Sequence, residues 1–248
     1  MSKRPRQSQL SSFFHKECDT KPSKNSKNNK KVSPNELAEY LSLELDAGVP
    51  NYLTCDGASW ILHMKQWFPS PDEDKFQAEW DSHPKERKIV SIFGRKLPEN
   101  RWSQAWGKAI HYSGLKNEAT NIHDSFSVPL LLDKVNNLMK NSPLKNGDQY
   151  NACLENWYEP DSMMGLHSDD EEYLRPEFPI FSVSWGGSRR FLLRSKHSDE
   201  MKELWLDDGD LLVMGGTTQK THKHEVPKHR LTDARTSNRI NWTIRAVL

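Results

Sequence analysis

Arg239-Ile240-Asn241-Trp242-Thr243-Ile244-Arg245-Ala246 alternates without a break: Ile240, Trp242, Ile244 and Ala246 fall on one side of an extended chain, and Arg239, Asn241, Thr243 and Arg245 fall on the other. Period two is the signature of a half-buried β-strand. Two arginines on one face with Asn and Thr depart from the mixed charge of a solvated surface. A guanidinium fork grips a carboxylate through two parallel hydrogen bonds, so the polar face suits a dicarboxylate ligand.

Moving upstream, Asp210-Leu211-Leu212-Val213-Met214 reads as a buried strand ended by Gly215-Gly216, and His222, His224 and His229 follow. His222 and His224 would share one face of a strand, so periodicity does not separate them. Tyr150 to Tyr158 also alternates and ends in the turn signal Glu159-Pro160-Asp161. Beyond it stands His167-Ser168-Asp169, whose two outer side chains point the same way in an extended segment. Two imidazoles and one carboxylate on one face of an octahedral Fe(II) leave three positions open for a bidentate cosubstrate and O2. A second such pair, His197-Ser198-Asp199, lies in a basic polar run that reads as a loop.

In combination these segments resemble the AlkB-type Fe(II)- and 2-oxoglutarate-dependent dioxygenases of nucleic-acid alkylation repair. The resemblance covers roughly residues 85 to 248. It is carried by Asn156-Trp157-Tyr158, His167-Ser168-Asp169-Asp170-Glu171, Pro179 to Ser184, Asp208 to Met214, His224-Glu225-Val226-Pro227 and the final Arg-x-Asn-x-Thr-x-Arg. It implies a mainly β fold with flanking helices, a double-stranded β-helix (jelly-roll) core under an N-terminal nucleotide-recognition lid. It also implies His167, Asp169 and His224 as iron ligands, with His222 a neighbour. Arg239, Asn156, Tyr158, Asn241 and Arg245 would hold 2-oxoglutarate.

The chemistry implied couples oxidation of 2-oxoglutarate by O2, giving succinate and CO2, to hydroxylation of a C–H bond. On an N-methyl group the product is a hemiaminal that falls apart to formaldehyde and the repaired base. N1-methyladenine and N3-methylcytosine are cationic, and Asp170 and Glu171 would stand beside them. Phe93 to Trp102, Trp106-Gly107 and Tyr112-Ser113-Gly114 resemble the lid, since a base must leave the duplex before such chemistry. Trp102, Trp106 and Tyr112 are the candidates for stacking on it, and Arg95, Lys96, Arg101, Arg189 and Arg190 for backbone phosphates.

Residues 1–33 read as a disordered basic tail, with nine Lys and Arg against two acidic residues in the first thirty-one and almost no aliphatic side chains. The rest of the chain then holds 26 basic and 32 acidic residues, so nucleic acid must be bound through local patches. Within the tail, Gln7-Ser8-Gln9-Leu10-Ser11-Ser12-Phe13-Phe14 resembles the sliding-clamp-binding (PIP-box-like) motif. One helical turn brings Phe13 and Phe14 beside Leu10 as an apolar plug, with Gln7 at the rim. The basic clusters Lys3-Arg4-Pro5-Arg6 and Lys24 to Lys31, with Cys18, Cys55 and Cys153, fit a nuclear, reducing location.

Residues 34–120 are expected to form a helical extension with the lid, and 121–248 the dioxygenase core, together one compact domain acting as a monomer. Helices are expected from Pro34 to Asp46, from a cap at Asp56 to Phe68, and from Ser127 to Lys140. No signal peptide or membrane span is read. The expected function is oxidative demethylation of alkylated DNA, coupled to replication. Its rivals are an RNA demethylase, a clamp-associated binding protein without turnover, and a protein side-chain hydroxylase.

Overall fold

The structure is a computed structural model that describes residues 32–92, 94–112, 115–144, 150–228 and 237–248. In chain order its elements are α1 Pro34–Glu44, β1 Asn51–Tyr52, β2 Ser59–Met64, α2 Glu73–Asp81, β3 Ile89–Ile92, β4 Arg95–Pro98, β5 Trp102–Trp106, β6 Ile110–Tyr112, β7 Leu115–Asn117 and β8 Ala119–Thr120. There follow α3 Ser127–Met139, β9 Ala152–Tyr158, β10 Met164–His167, β11 Ile180–Gly186, β12 Arg189–Ser195, β13 Met201–Leu206, β14 Leu211–Gly216, α4 Thr218–Thr221, β15 His222–Val226 and β16 Arg239–Arg245.

Two sheets face each other in a jelly roll. The larger has the order β1-β2-β14-β11-β16-β9-β5-β8 and the smaller β10-β15-β12-β13. Strands far apart in sequence, such as β9 and β16, become neighbours, which is how this topology gathers one site from distant segments. Two separate hairpins, β3–β4 and β6–β7, complete the β structure. Val32–Leu248 forms one compact unit. Among the described residues no helix is long and apolar enough to cross a membrane.

The helices obey local rules. Ser33 and Glu36 form a reciprocal capping box at the start of α1, with Pro34 in its first turn. Asp72 caps α2 by accepting from the Lys75 amide, and Phe76, Glu79 and Trp80 are its buried positions. In α3 the apolar stripe Val128, Leu131, Leu132, Val135 and Met139 is buried. The expected helix from Asp56 to Phe68 is corrected: Asp56 closes a turn by accepting from Thr54 Oγ1 and the Ala58 amide, and Ser59–Met64 is a strand. Six residues with Trp60, Ile61 and Leu62 all buried pair along their whole length with β14, a fit no amphipathic helix would give. A Cβ on Gly215 of β14 would collide with the Trp60 ring, so glycine is required at that crossing.

β16 is likewise buried on both faces, not half buried as alternation predicts. Its apolar face, Ile240, Trp242 and Ile244, joins the main core beneath the helices. Its polar face looks into the cavity between the two sheets. Between the sheets a smaller apolar cluster of Ile61, Ile180, Phe191, Leu193, Leu212, Met214 and Val226 meets a large cavity, and Phe191, Met214 and Val226 belong to both.

Candidate active site

β10 delivers His167 at its C-terminal end, and the register sets it directly opposite His224 of β15. Ligand atoms of His167, Asp169 and His224 lie within 4.8 Å of one another, and the two imidazole centroids are 4.2 Å apart. His167 Nδ1 is 2.8 Å from the Gly165 carbonyl. A carbonyl only accepts, so Nδ1 is the donor there and Nε2, 3.7 Å from Asp169 Oδ1, is the nitrogen turned toward the other two ligands. Burial, reinforced by His167, brings the His224 pKa down to about 3, so that imidazole is neutral. Burial opposes the charge on Asp169, but Arg245 and the two histidines outweigh it and hold the carboxyl below the usual range. The Asp169 amide donates to Gln219 Oε1 at 3.0 Å, fixing the loop after His167.

Register separates the two histidines that periodicity could not. His222 also faces inward and is buried, but it lies opposite Ser195 and its Nδ1 is 2.8 Å from Thr221 Oγ1. His197 and Asp199 sit in the exposed turn between β12 and β13.

The wall beside the triad comes from β16, β9 and β11. Arg239 Nη2 donates to Ser184 Oγ at 2.9 Å, and its guanidinium lies 5.3 Å from the Tyr158 ring centre. Asn241 donates to Ser182 Oγ and the Val183 carbonyl. Arg245 Nη2 donates to Asp169 Oδ2 at 3.0 Å, joining this wall to the triad. Burial lowers the Arg239 pKa to about 10. Nε and Nη1 of both arginines are buried and lack hydrogen-bond partners among the described residues. Two buried guanidinium groups with open donors fit a carboxylate ligand, and a triad of two imidazoles and a carboxylate fits Fe(II). The residues present therefore fit both groups, with His167, Asp169 and His224 as the metal ligands.

The triad, Ser182, Arg239, Asn241 and Arg245 open on a cavity of about 850 Å³. Asn156, Tyr158, Tyr112, Asp170 and Glu171 line it as well. Burial pushes the Tyr112 hydroxyl pKa to about 12, and burial together with Asp169 raises that of Glu171. Asp170 is more open, with Lys196 Nζ at 3.6 Å. Arg95 and Lys96 are exposed on β4.

Three expected contacts, those of Trp106, Arg189 and Arg101, are corrected by burial. Trp106 is a core residue whose indole donates to Glu155 Oε2 at 2.9 Å, so no base can stack on it. Arg189 is 1% exposed and spends its guanidinium on the carbonyls of Glu159, Pro160, Ser162 and Pro227. Arg190 points to the opposite face of β12 from the cavity-lining Phe191 and pairs with Glu203 at 2.7 Å. Arg101 is buried in the cavity wall, 4% exposed, with its guanidinium engaged by Asn156 and Glu99 and not displayed on the surface. Trp102 lies outside the cavity lining; His83 stacks on it at 4.1 Å and Arg87 sits 4.3 Å from its centre.

Sequence reasoning missed Ser182, Ser184, Glu99 and Gln219. The two serines carried a signal: they interrupt Ile180-Phe181-Ser182-Val183-Ser184 at period two, marking a polar face that adjoins β16. Glu99 and Gln219 stand in segments with no such period.

A profile of the 2OG-Fe(II) oxygenase superfamily matches residues 61–245. The chain is 27% identical over 217 residues to "DNA oxidative demethylase ALKBH2" of Arabidopsis thaliana, covering 76% of this chain and 66% of that protein. It is 38% identical over 112 residues to "Alpha-ketoglutarate-dependent dioxygenase alkB homolog 3" of Rattus norvegicus, covering 41% of this chain and 37% of the relative. The chain thus spans just under two thirds of the first relative and well under half of the second. A solved 2OG-Fe(II) oxygenase-family oxidoreductase from Burkholderia pseudomallei shares the fold with TM-score 0.51 at 13% identity, covering 90% of this chain and 94% of that one. The matched profile begins in β2 and ends with β16, so it takes in both facing sheets and the whole triad, and the chain belongs to the 2OG-Fe(II) oxygenase superfamily, whose members use Fe(II), 2-oxoglutarate and O2.

Proposed function

We propose that this protein is an AlkB-type DNA oxidative demethylase that removes methyl groups from N1-methyladenine and N3-methylcytosine. The observation that carries the reading is the composition of one cavity: the triad and two arginines with open donors on one side, Tyr112, Asp170 and Glu171 on another. The similarity to proteins named for DNA demethylation adds support.

Fe(II) with 2-oxoglutarate and O2 supplies the oxidising power for C–H hydroxylation, and the N-hydroxymethyl product then loses formaldehyde without a leaving-group acid from the protein. This chain's residues bind and orient. His167, Asp169 and His224 would hold the metal, with Arg245 keeping Asp169 ionised and aimed. Arg239 and Arg245 would receive carboxylate oxygens of 2-oxoglutarate, and Asn156 and Tyr158 would complete that pocket. Tyr112 offers an aromatic wall for an extruded base. Glu171 would favour a cationic methylated base over its neutral parent.

Incubation with Fe(II), 2-oxoglutarate and methylated single- or double-stranded DNA, read by formaldehyde release, tests the reading. Absence of turnover on any nucleic acid defeats it, and turnover on RNA alone selects the RNA demethylase. Glu171→Ala is expected to change lesion preference more than metal affinity; an unaltered lesion ranking removes Glu171 from base recognition.

The motif at residues 7–14 and the basic clusters of the tail lie outside the described residues. We assign them to binding of the replication sliding clamp and to nuclear import, with the enzyme itself a monomer. Phe13→Ala with Phe14→Ala should abolish clamp binding in calorimetry and spare demethylation of free oligonucleotides; retained clamp affinity would remove that partner.

A further inference from the structure

Arg101 looks from the sequence like a phosphate contact, but it is 4% exposed and touches residues on three strands of the site as well as Glu99. Its Nε donates to Asn156 Oδ1 on β9 at 2.6 Å, and its Nη1 reaches the Met164 sulfur on β10 at 3.4 Å. Its guanidinium carbon lies 5.7 Å from the Tyr112 ring centre on β6, and Nη2 is 3.1 Å from Glu99 Oε1. Glu99, also 4% exposed, accepts from the Tyr112 hydroxyl at 2.9 Å and from Ser103 Oγ at 2.7 Å.

These contacts have a directional consequence. A guanidinium only donates, so the Asn156 amide must turn its oxygen toward Arg101; of its NH2 hydrogens one is directed at the Leu154 carbonyl at 3.4 Å and the other is left for a cosubstrate oxygen. Glu99 only accepts when ionised, so the Tyr112 hydroxyl points at it and the ring is pinned. Asn156 belongs to the 2-oxoglutarate wall and Tyr112 to the lid wall. The Glu99–Arg101 pair is the link between them.

We infer that Arg101, oriented by Glu99, is a positioning residue that locks the lid wall onto the cosubstrate wall, so that 2-oxoglutarate and the extruded methylated base are gripped by one rigid unit. The base half of this statement rests on the demethylase reading. The cosubstrate half does not. Removing the pair frees the Asn156 amide to flip and the Tyr112 ring to swing, and both ligands lose a fixed partner.

The test is binding to the full chain with Mn(II) in place of Fe(II). The affinity for 2-oxoglutarate is measured by calorimetry and that for a methylated oligonucleotide by fluorescence anisotropy. Arg101→Met is expected to weaken both, each by about tenfold, the scale of losing one buried hydrogen-bonded partner. Tyr112→Phe should weaken the oligonucleotide alone, and Glu99→Gln, which keeps an acceptor but loses the charge, should weaken both by less than Arg101→Met. If Arg101→Met does not fold, Arg101→Lys and Glu99→Gln at unchanged melting temperature carry the same comparison. Unchanged 2-oxoglutarate affinity in the folded variants overturns the inference. A loss confined to the oligonucleotide, with a shallower salt dependence, would instead return Arg101 to a phosphate role. Wild-type protein that binds 2-oxoglutarate and no methylated oligonucleotide would defeat the demethylase reading, and the cosubstrate arm would still decide this one.

Discussion

β9 and β16 carry two buried faces that are finished in opposite ways. Toward the helices, Cys153, Trp157, Ile240, Trp242 and Ile244 pack into the main core, with the single carboxyl of Glu155 among them. Toward the second sheet, Asn156, Tyr158, Arg239, Asn241, Thr243 and Arg245 line the cavity, where four guanidinium nitrogens of the two arginines lack partners. The first face is packed shut by apolar side chains, and among the described residues two of its polar atoms, Glu155 Oε1 and Trp242 Nε1, lack a hydrogen-bond partner. The second carries polar groups that cost free energy until a ligand satisfies them, which is how a binding site differs from a core built on the same strands.

The contrast breaks most sharply at the metal ligands. His224→Ala should lower turnover by about a thousandfold or more, because one of only three protein ligands is gone, whereas His222→Ala should stay near wild type. The opposite pattern in a formaldehyde assay would make His222 the ligand. Arg239→Met comes next: 2-oxoglutarate affinity should fall by about a hundredfold, as expected for a buried charge-assisted contact. The ligand-free protein should nevertheless melt higher, since an uncompensated buried cation has been removed. A lower melting temperature would show that the inner face is not under such strain.

On the outer face the signs reverse. Trp242→Ala should cost about 3–5 kcal/mol of stability in denaturant unfolding, the usual penalty for emptying an aromatic site in a packed core. The 2-oxoglutarate affinity of the folded fraction should not move. The smallest effect is a pH dependence. Burial, with Glu79 adding to it, raises the Glu155 pKa well above the usual carboxylate range. A raised folded-state value means stability that is full below the unfolded carboxylate pKa and is lost as pH rises through the folded one. Glu155→Gln should therefore raise the melting temperature by about 4 °C at pH 8 and leave it unchanged at pH 4. An equal shift at both pH values would trace the effect to packing.

Legibility followed periodicity. The strand at 239–245 and helix α3 were visible because alternation and a 3.6-residue stripe survive in the bare sequence. Ser59–Met64 was misread because a short apolar run is compatible with either element, and pairing with β14 decided between them. The stacking and phosphate residues were the least legible. Trp106, Arg189 and Arg101 have the right chemistry to touch nucleic acid and are instead buried by neighbours far away in the chain. Exposure is a property of those neighbours.

By itself the sequence determined which residue types were available and which of them shared a strand face: the two arginines of 239–245, the His167 and Asp169 pair, and the two inward histidines of β15. Tertiary structure alone decided which of these meet. His224 rather than His222 stands opposite His167 because of the β10–β15 register, and Arg245 reaches Asp169 because the loop after β10 comes back against the end of β16. Side-chain direction is local, set by a two-residue repeat, whereas register and sheet closure depend on contacts between segments dozens of residues apart.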